Sequence, residues 1–297
     1  MRRFLSVVFL SLIAATAGAH NTGHPVTLWR IDGATNSIYL LGSVHLLREQ
    51  DHPLPAVIDA AYDVADVIVM ELDMDDLDPA YTQAAFSSAG VLTDGTTLRD
   101  LMGDAAYAEA EDAATIVDIP LEMLAQSEPW LAAMTVELMM LYRIGFNPTL
   151  GVEMTMMARA AGDNKPIEGL ETVDEQLAFL DGLPLEAQRE MLLQTLDQSA
   201  TLADSIDALI DAWHRGDTAA LERDMLGTIG EQAELNEALI ASRNRRWADT
   251  IATWVDDDRD YLVVVGALHL VGEDGVPALL AARGIGIHQL SESSNVR

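Results

Sequence analysis

The sequence has 297 residues, no cysteine and one lysine, Lys165. Without cysteine the chain can form no disulfide, so a hydrophobic core alone must hold the fold, and the chain is long enough to bury one. Lysine and arginine number 17 against 48 aspartates and glutamates, which gives a formal net charge of −31. Such a charge repels a phosphate backbone, so nucleic acid is excluded as a natural partner, and anionic lipid surfaces are disfavoured for the same reason.

Two catalytic signatures and a membrane span are also absent from the sequence. There is no His-Glu-x-x-His segment, which excludes zinc proteases that carry two ligands on one helix. There is no Gly-x-Ser-x-Gly segment, which disfavours serine catalysis. Beyond the N-terminus no uninterrupted apolar run is long enough to cross a bilayer, so we expect no stable membrane insertion after processing.

The N-terminus has the pattern of a secretory signal peptide. Two arginines are followed by an apolar run from Phe4 to Ala15 and by a small-x-small cleavage site that ends at Ala19. We therefore expect cleavage after Ala19, which removes residues 1–19 and leaves residues 20–297 as one α/β domain. The predicted location is the periplasm or the cell exterior.

Two apolar, partly β-branched runs, at residues 38–45 and 261–269, both end in Gly-x-x-His. Each run is typical of a strand that is buried on both faces. Ligands of open α/β sheets bind outside the carboxyl ends of the strands, so we expect His45 and His269 to share one cleft, facing solvent. The glycines are expected to adopt a positive φ and turn the chain sharply. The alternative is two unrelated histidines that cap loops.

Each run is followed by a helix and another strand. The first half continues with a helix at Leu54–Ala65 and a strand at Val67–Glu71, and the second with a helix at Val276–Arg283 and a strand at Gly284–Leu290. Each half is therefore a β-α-β unit, expected to cross over right-handedly onto a neighbouring parallel strand. The sequence predicts an α/β fold with a mixed, largely parallel sheet, built from two β-α-β halves and flanked by helices.

The remaining segments add a hairpin and a helical middle. Strands at Val26–Ile31 and Asn36–Leu41 are joined by an Asp-Gly loop, which indicates a hairpin. Residues from about 79 to 255 are mainly helical in pattern. One helix in this segment is expected to end at Gly162, and Thr172 is expected to be the N-cap of another.

The two imidazoles and a nearby carboxylate form a candidate metal site. Zn²⁺, Mn²⁺, Co²⁺ and Fe²⁺ all accept such donors, which do not choose among them. Glu71 is the first candidate carboxylate because it ends the strand after His45, and Glu153 and Glu171 follow, each beside a glycine at a turn. The alternative for each glutamate is an acid on the surface or at a helix start. We expect Glu71 to be a ligand and Glu171, on an adjustable turn, to be the general base.

Arg243 and Asn244 lie in a basic cluster on a predicted helix. In a chain so poor in basic residues, this cluster is a candidate for binding a substrate carboxylate or stabilising a developing oxyanion. The alternative is a set of salt bridges to the acidic surface.

The ordered set of these segments resembles the TraB/GumN family, which includes the Tiki proteins, and is closest to its exported bacterial GumN-like branch. The matching segments are residues 28–31, 42–45, 71–73, 151–153, 165–172, 243–244 and 265–270. The resemblance implies an α/β fold with paired Gly-x-x-His motifs and an activity like that of Tiki proteins, which are regarded as Mn²⁺- or Co²⁺-dependent metalloproteases. Other members are known as conjugation-pheromone shutdown factors or by association with exopolysaccharide production. Unlike Tiki and the shutdown factors, this chain is expected to lack a membrane anchor.

The sequence thus predicts an exported metal-dependent hydrolase, a peptidase acting on a peptide or protein substrate. His45, His269 and a glutamate would hold the ion. The alternative from another class is a non-catalytic accessory protein that binds a peptide, metal complex or glycan during export of a surface polymer.

Overall fold

The computed structural model describes residues 23–33, 35–74, 76–226 and 236–296. The signal peptide expected at residues 1–19 lies outside these ranges and stays a prediction. Within them, no helix combines the length and the apolar character needed to cross a membrane.

Six strands form one mixed sheet, which confirms the predicted fold class. They are β1 Pro25–Asp32, β2 Ser37–Ser43, β3 Val67–Leu72, β4 Ile167–Glu171, β5 Tyr261–Gly266 and β6 Ile287–Ser291. Their order is β4-β3-β5-β2-β1-β6. The pairs β2–β5, β3–β5 and β3–β4 are parallel, whereas β1 runs antiparallel to both β2 and β6. The predicted hairpin is the β1–β2 pair.

Helices flank the sheet and fill the middle of the described chain. The α-helices are α1 Ala56–Val64, α2 Pro79–Gly90, α3 Leu98–Met102, α4 Asp104–Ile116, α5 Pro129–Arg143, α6 Val152–Asp163, α7 Val173–Asp181, α8 Leu185–Asp197, α9 Leu202–His214, α10 Thr218–Leu221, α11 Ser242–Ala252 and α12 Val276–Ala282. Short 3₁₀ turns lie at Glu49–Asp51, Leu121–Leu124, Pro148–Leu150, Gln198–Ala200 and Ala267–Leu270, and π turns at Glu222–Leu226 and Glu237–Ala241.

Strands β2 and β5 lie side by side at the centre of the sheet. Every residue of β2 is buried, and the parallel register pairs Ser43 with Gly266. The expectation that each crossover ends on a neighbouring parallel strand is wrong, because β5 lies between β2 and β3, and β6 pairs with β1 at the far edge. The two halves therefore interlock, which buries β5 on both faces. As a result, both Gly-x-x-His segments leave the sheet next to each other.

The sheet has a hydrophobic layer on each face. Leu41 and Val264 belong to a cluster with residues of α1, α6 and α9, while Leu40 and Val263 belong to a second cluster with residues of α11 and α12. A third cluster joins α3, α4, α5 and α8. Burying one such aliphatic side chain contributes about 1.5–3 kcal/mol to the free energy of folding. This burial fixes the strand ends that carry the candidate site.

Two predicted helix boundaries have different outcomes. Helix α6 continues through Gly162 and ends at Asn164, whose φ of 55° is the left-handed conformation that asparagine tolerates at helix ends. The prediction for Gly162 is therefore wrong. Thr172 is confirmed as the N-cap of α7, since its Oγ1 accepts the Glu175 N–H and the Glu175 carboxylate accepts the Thr172 N–H.

Lys165 contacts the C-terminal end of α1. Its Nζ donates to the carbonyl oxygens of Tyr62, Asp63 and Ala65 at 2.5, 3.2 and 2.6 Å. The last carbonyls of a helix lack partners within the helix and carry partial negative charge. The single lysine thus joins the segment before β4 to α1.

Replacing Lys165 with methionine is expected to lower the free energy of unfolding by about 1.5–3 kcal/mol, because hydrogen bonds from a charged donor are lost. Urea denaturation measures the change. Arg215→Met is the matched control, since it removes a cation next to the end of α9 whose salt bridge to Asp211 is exposed, and it should cost less than about 1 kcal/mol. Equal losses in the two variants would mean that Lys165 contributes only surface charge.

Candidate functional site

The side chains of His45, Glu71 and His269 surround a small space beside Gly266. A Cβ atom built on Gly266 would lie 3.4 Å from Glu71 Oε1, 3.6 Å from His269 Cδ2 and 3.9 Å from His45 Nε2. The φ of Gly266 is −49°, so the expected left-handed turn is wrong for this glycine. Glycine matters here because a side chain would fill the space between the three groups.

Glu71 is hydrogen-bonded through both carboxylate oxygens. Oε1 accepts the Gly266 N–H at 2.9 Å, while Oε2 accepts from Arg243 Nη2 at 2.6 Å and from Gln176 Nε2 at 3.2 Å. Burial alone would raise the pKa of Glu71, but His269, Arg243 and His45 lower this pKa to about 2. Of these three, Arg243 carries the permanent charge, so Glu71 is ionised at neutral pH.

Arg243 lies at the centre of a buried hydrogen-bond network. Its Nε donates to Glu171, Nη1 donates to the Leu239 carbonyl and contacts His269 Nε2 at 3.2 Å, and Nη2 donates to both Glu71 and Glu171. A guanidinium has five N–H groups, and all five face protein acceptors here. Arg243 therefore orients the two glutamates and the histidine, and a substrate group would have to displace one of these partners.

His269 is buried, so the expectation that it faces solvent is wrong. Its Nδ1 lies 2.6 Å from Asn244 Oδ1, and Asn244 Nδ2 donates to the Asp274 carbonyl at 2.8 Å. That second bond fixes the orientation of the amide, so Nδ1 of His269 must carry the proton and Nε2 the lone pair. Burial against Trp247 lowers the pKa of His269 to about 4, which keeps the ring neutral.

His45 forms a pair with Glu153. The His45 Nδ1 lies 2.7 Å from Glu153 Oε1, which also accepts from Ser43 Oγ at 2.5 Å. Attraction to Glu153 raises the pKa of His45 to about 9. Since 63% of the His45 side chain is exposed, solvent screens part of this attraction. Among the described residues, Glu153 Oε2 has no hydrogen-bond partner, although it is buried.

The start of α6 brings Glu153 to His45. The Val152 N–H donates to the Val44 carbonyl at 3.1 Å, and a Cβ on Gly151 would lie only 2.1 Å from the His45 carbonyl oxygen. Only glycine allows this close approach of the two backbones. Glu153 then lies in the first turn of α6, where the helix dipole favours an acid.

Glu171 does not lie on an adjustable turn, so that expectation is wrong. It is the last residue of β4, pairs with Leu72 in the sheet, and its side chain is 1% exposed. Its oxygens accept N–H groups from Arg243 and Arg246, which fix the carboxylate. Glu171 is thus sealed behind the network that supports Glu71.

Two cavities meet at His45 and Glu71. One, of about 180 Å³, extends to Arg243, Gly266 and His269. The other, of about 240 Å³, extends beneath the start of α6 and has mainly apolar walls. His45 and Glu71 are therefore accessible from both sides.

Two residues of the site were missed from the sequence. Gln176 contacts Glu71 from the first turns of α7, and the ring of Trp247 lies 4.5 Å from that of His269. The position of Gln176, one turn after the N-cap Thr172, was a usable signal, because such residues lie near the preceding strand end. Trp247 gave no signal beyond its place next to the basic cluster.

In the part of the chain that the structure describes, no three histidine, aspartate or glutamate side chains already form a group spaced to hold a metal ion. The arginine network explains this, because Arg243 binds Glu71 and Glu171 and contacts the free nitrogen of His269. The predicted roles of the site residues as ligands and base stay predictions.

Comparison with known proteins gives one family and several relatives. The sequence profile of the TraB/PrgY/gumN family matches residues 27–289. Proteins of Shigella flexneri and Escherichia coli (strain K12), both named uncharacterized protein YbaP, are each 23% identical over 270 residues, which is 91% of this chain and 97% of theirs. A protein of Amphimedon queenslandica named metalloprotease TIKI homolog is 28% identical over 174 residues, which is 50% of this chain and 34% of that protein. No solved structure matches the chain.

Proposed function

The chain belongs to the TraB/PrgY/gumN family, as its motifs predicted, and from this we propose that the site at the ends of β2 and β5 is the centre of a metal-dependent hydrolase. Its proposed substrates are peptides or proteins, and its proposed setting is the periplasm or the cell exterior. The similarity to a protein named as a metalloprotease supports the reaction class over the matched half of this chain.

The anchoring of the two histidines carries the proposal. His45 Nδ1 is fixed by Glu153 at 2.7 Å and His269 Nδ1 by Asn244 at 2.6 Å. Histidines that bind metal ions almost always have their other ring nitrogen fixed by a carboxylate or carbonyl group. In both residues Nε2 is left for an ion, and both rings border the space beside Gly266.

The donors and the space fit a divalent ion. His45, His269 and Glu71 would hold it, and two imidazoles with one carboxylate suit Mn²⁺, Co²⁺ or Zn²⁺. The ion would replace the contact of Arg243 with His269 Nε2 and the proton that His45 carries at neutral pH. When bound, it supplies a Lewis acid that polarises the scissile carbonyl.

The chain's own groups would position the donors and take up a proton. Arg243 keeps Glu71 ionised and fixed in orientation. Glu153 can accept a proton at Oε2 without losing a hydrogen bond, because only its Oε1 is engaged with Ser43 and His45. We therefore assign the proton acceptor to Glu153 in place of Glu171.

A peptide-library digest with Mn²⁺, Co²⁺ or Zn²⁺ tests the proposal, together with metal analysis of the purified protein. We expect cleavage that a chelator stops. Glu71→Gln should weaken ion binding by at least about 10-fold, since altering even the groups that orient a ligand costs 10–100-fold. Glu171→Gln should keep the ion, because Glu171 is sealed behind Arg243. The assignment fails if Glu171→Gln loses the ion while Glu71→Gln keeps it.

A non-catalytic accessory protein is the second candidate. It is favoured by the complete satisfaction of Arg243, which is typical of a structural ion-pair network, and by the lack of a ready ligand group in the described ranges. The same digest separates the two candidates. Peptide binding without cleavage under any of the three ions would favour the accessory protein.

A further inference from the structure

We propose that the larger cavity beside His45 and Glu71 binds one uncharged, apolar side chain of a peptide substrate. This inference rests on the proposed function and names the class of substrate for that site. We call it the methionine cavity, and its apolar lining residues are Met70, Leu72, Met74, Pro148 and Met154.

The walls of the methionine cavity come from three parts of the chain. Met70 and Leu72 lie at the end of β3, Met74 follows in the turn, and Pro148 and Met154 lie before and within the first turn of α6. The volume of about 240 Å³ is suited to a single large side chain and is too small for a folded segment. Methionine side chains are flexible and polarisable, so they adapt to aliphatic and aromatic groups of different shape.

The cavity is continuous with the candidate reaction site. His45 and Glu71 line it and also line the cavity that contains His269. A peptide whose reacting bond lies at these two residues would therefore direct a neighbouring side chain between the methionines.

Charge further restricts the side chain that fits. The polar lining consists of His45, Glu71, Glu153 and Gln176, and no lysine or arginine borders the cavity. His45 is already paired with Glu153, so an acidic side chain would enter beside two carboxylates without a free cation. The expected order is leucine, methionine or phenylalanine first, then alanine, with aspartate last.

Methyl NMR of protein labelled with ¹³C-methyl methionine tests the cavity without requiring turnover. N-acetyl amides of leucine, alanine and aspartate are the probes, and the methyl signals are assigned by Met→Leu substitution. We expect saturable shifts of Met70, Met74 and Met154 with the leucine amide, at an affinity at least about 10-fold higher than that of the alanine amide. Absence of these shifts, or equal shifts with the aspartate amide, would overturn the inference.

A pair of charge variants provides the control. Met154→Asp should abolish the shifts at Met70 and Met74, whereas Met123→Asp, at an exposed position of the helical segment, should leave them unchanged. Shifts that persist in Met154→Asp would place the probe elsewhere and refute the cavity.

Cleavage separates this inference from the proposed function. Methyl shifts with the leucine amide but no cleavage of any peptide would support the cavity and refute the hydrolase. Cleavage that does not depend on the side chain next to the reacting bond, together with unchanged methyl signals, would support the hydrolase and refute the cavity.

Discussion

Arg243→Leu is expected to lower the free energy of unfolding by about 3–5 kcal/mol at neutral pH, the usual cost of removing one partner from a buried ion pair. Arg243 is buried and donates to the carboxylates of Glu71 and Glu171, both of which are largely shielded from water. The substitution would leave Glu71 with no permanent positive charge beside it. The Leu239 carbonyl would also lose its side-chain hydrogen-bond donor.

The size of this loss should depend on pH. In the native protein the pKa of Glu71 is about 2, below its ordinary value of 4.5, so the ionised carboxylate stabilises the fold above about pH 4.5 and this contribution disappears as the pH falls towards 2. In Arg243→Leu, burial without the cation should raise the pKa of Glu71 above 4.5, so its ionisation destabilises the fold as the pH rises. The difference between the two proteins is therefore largest at neutral pH and shrinks in acid.

Urea denaturation at neutral pH and near pH 4 measures both effects. Arg246→Leu is the matched control, because Arg246 contacts the same Glu171 from the surface and is 48% exposed. Its loss should be at most about 1 kcal/mol and should change little with pH. Similar losses in the two variants would mean that the buried network contributes no more than a surface ion pair.

The local elements of the fold were predictable because their signals lie within short segments. The apolar run at Tyr261–Gly266 and the Asp-Gly loop between β1 and β2 each have a pattern that does not depend on distant residues. The strand order was not predictable in the same way. β3 pairs with β5 and not with β2, and the strands β2, β3 and β5 are all so apolar that composition does not choose between the possible neighbours.

The site shows the same division between identity and contact. Histidine after Gly-x-x and glutamate at a strand end can be recognised in a sequence, and the structure brings His45, Glu71 and His269 around Gly266. The partners of these residues could not be recognised. Arg243 is 172 residues from Glu71 in the chain, and only the packing of α11 against the sheet brings them to 2.6 Å.

The exposure of His45 makes it the better residue for testing the metal site. His269 is buried against Trp247, so His269→Ala would leave a cavity and two unpaired groups, on Asn244 and Arg243, and stability would fall with or without a metal. A loss of ion binding in that variant would be hard to separate from partial unfolding. His45 avoids this problem because most of its side chain faces solvent.

His45→Ala is expected to weaken binding of Mn²⁺, Co²⁺ or Zn²⁺ by at least about 100-fold, since even the loss of a group that orients a ligand costs about 10–100-fold. Peptide cleavage should fall with it, while the thermal midpoint should change little because few buried contacts are lost. His288→Ala is the control, a histidine on β6 that is 52% exposed and lies outside the cavities around Gly266. Isothermal titration with each ion, alongside thermal unfolding of the ion-free proteins, measures both quantities. If His45→Ala binds all three ions as tightly as the native protein and His288→Ala, then His45 is not a ligand. The Glu153–His45 pair would then act on the substrate directly or serve only to join α6 to β2.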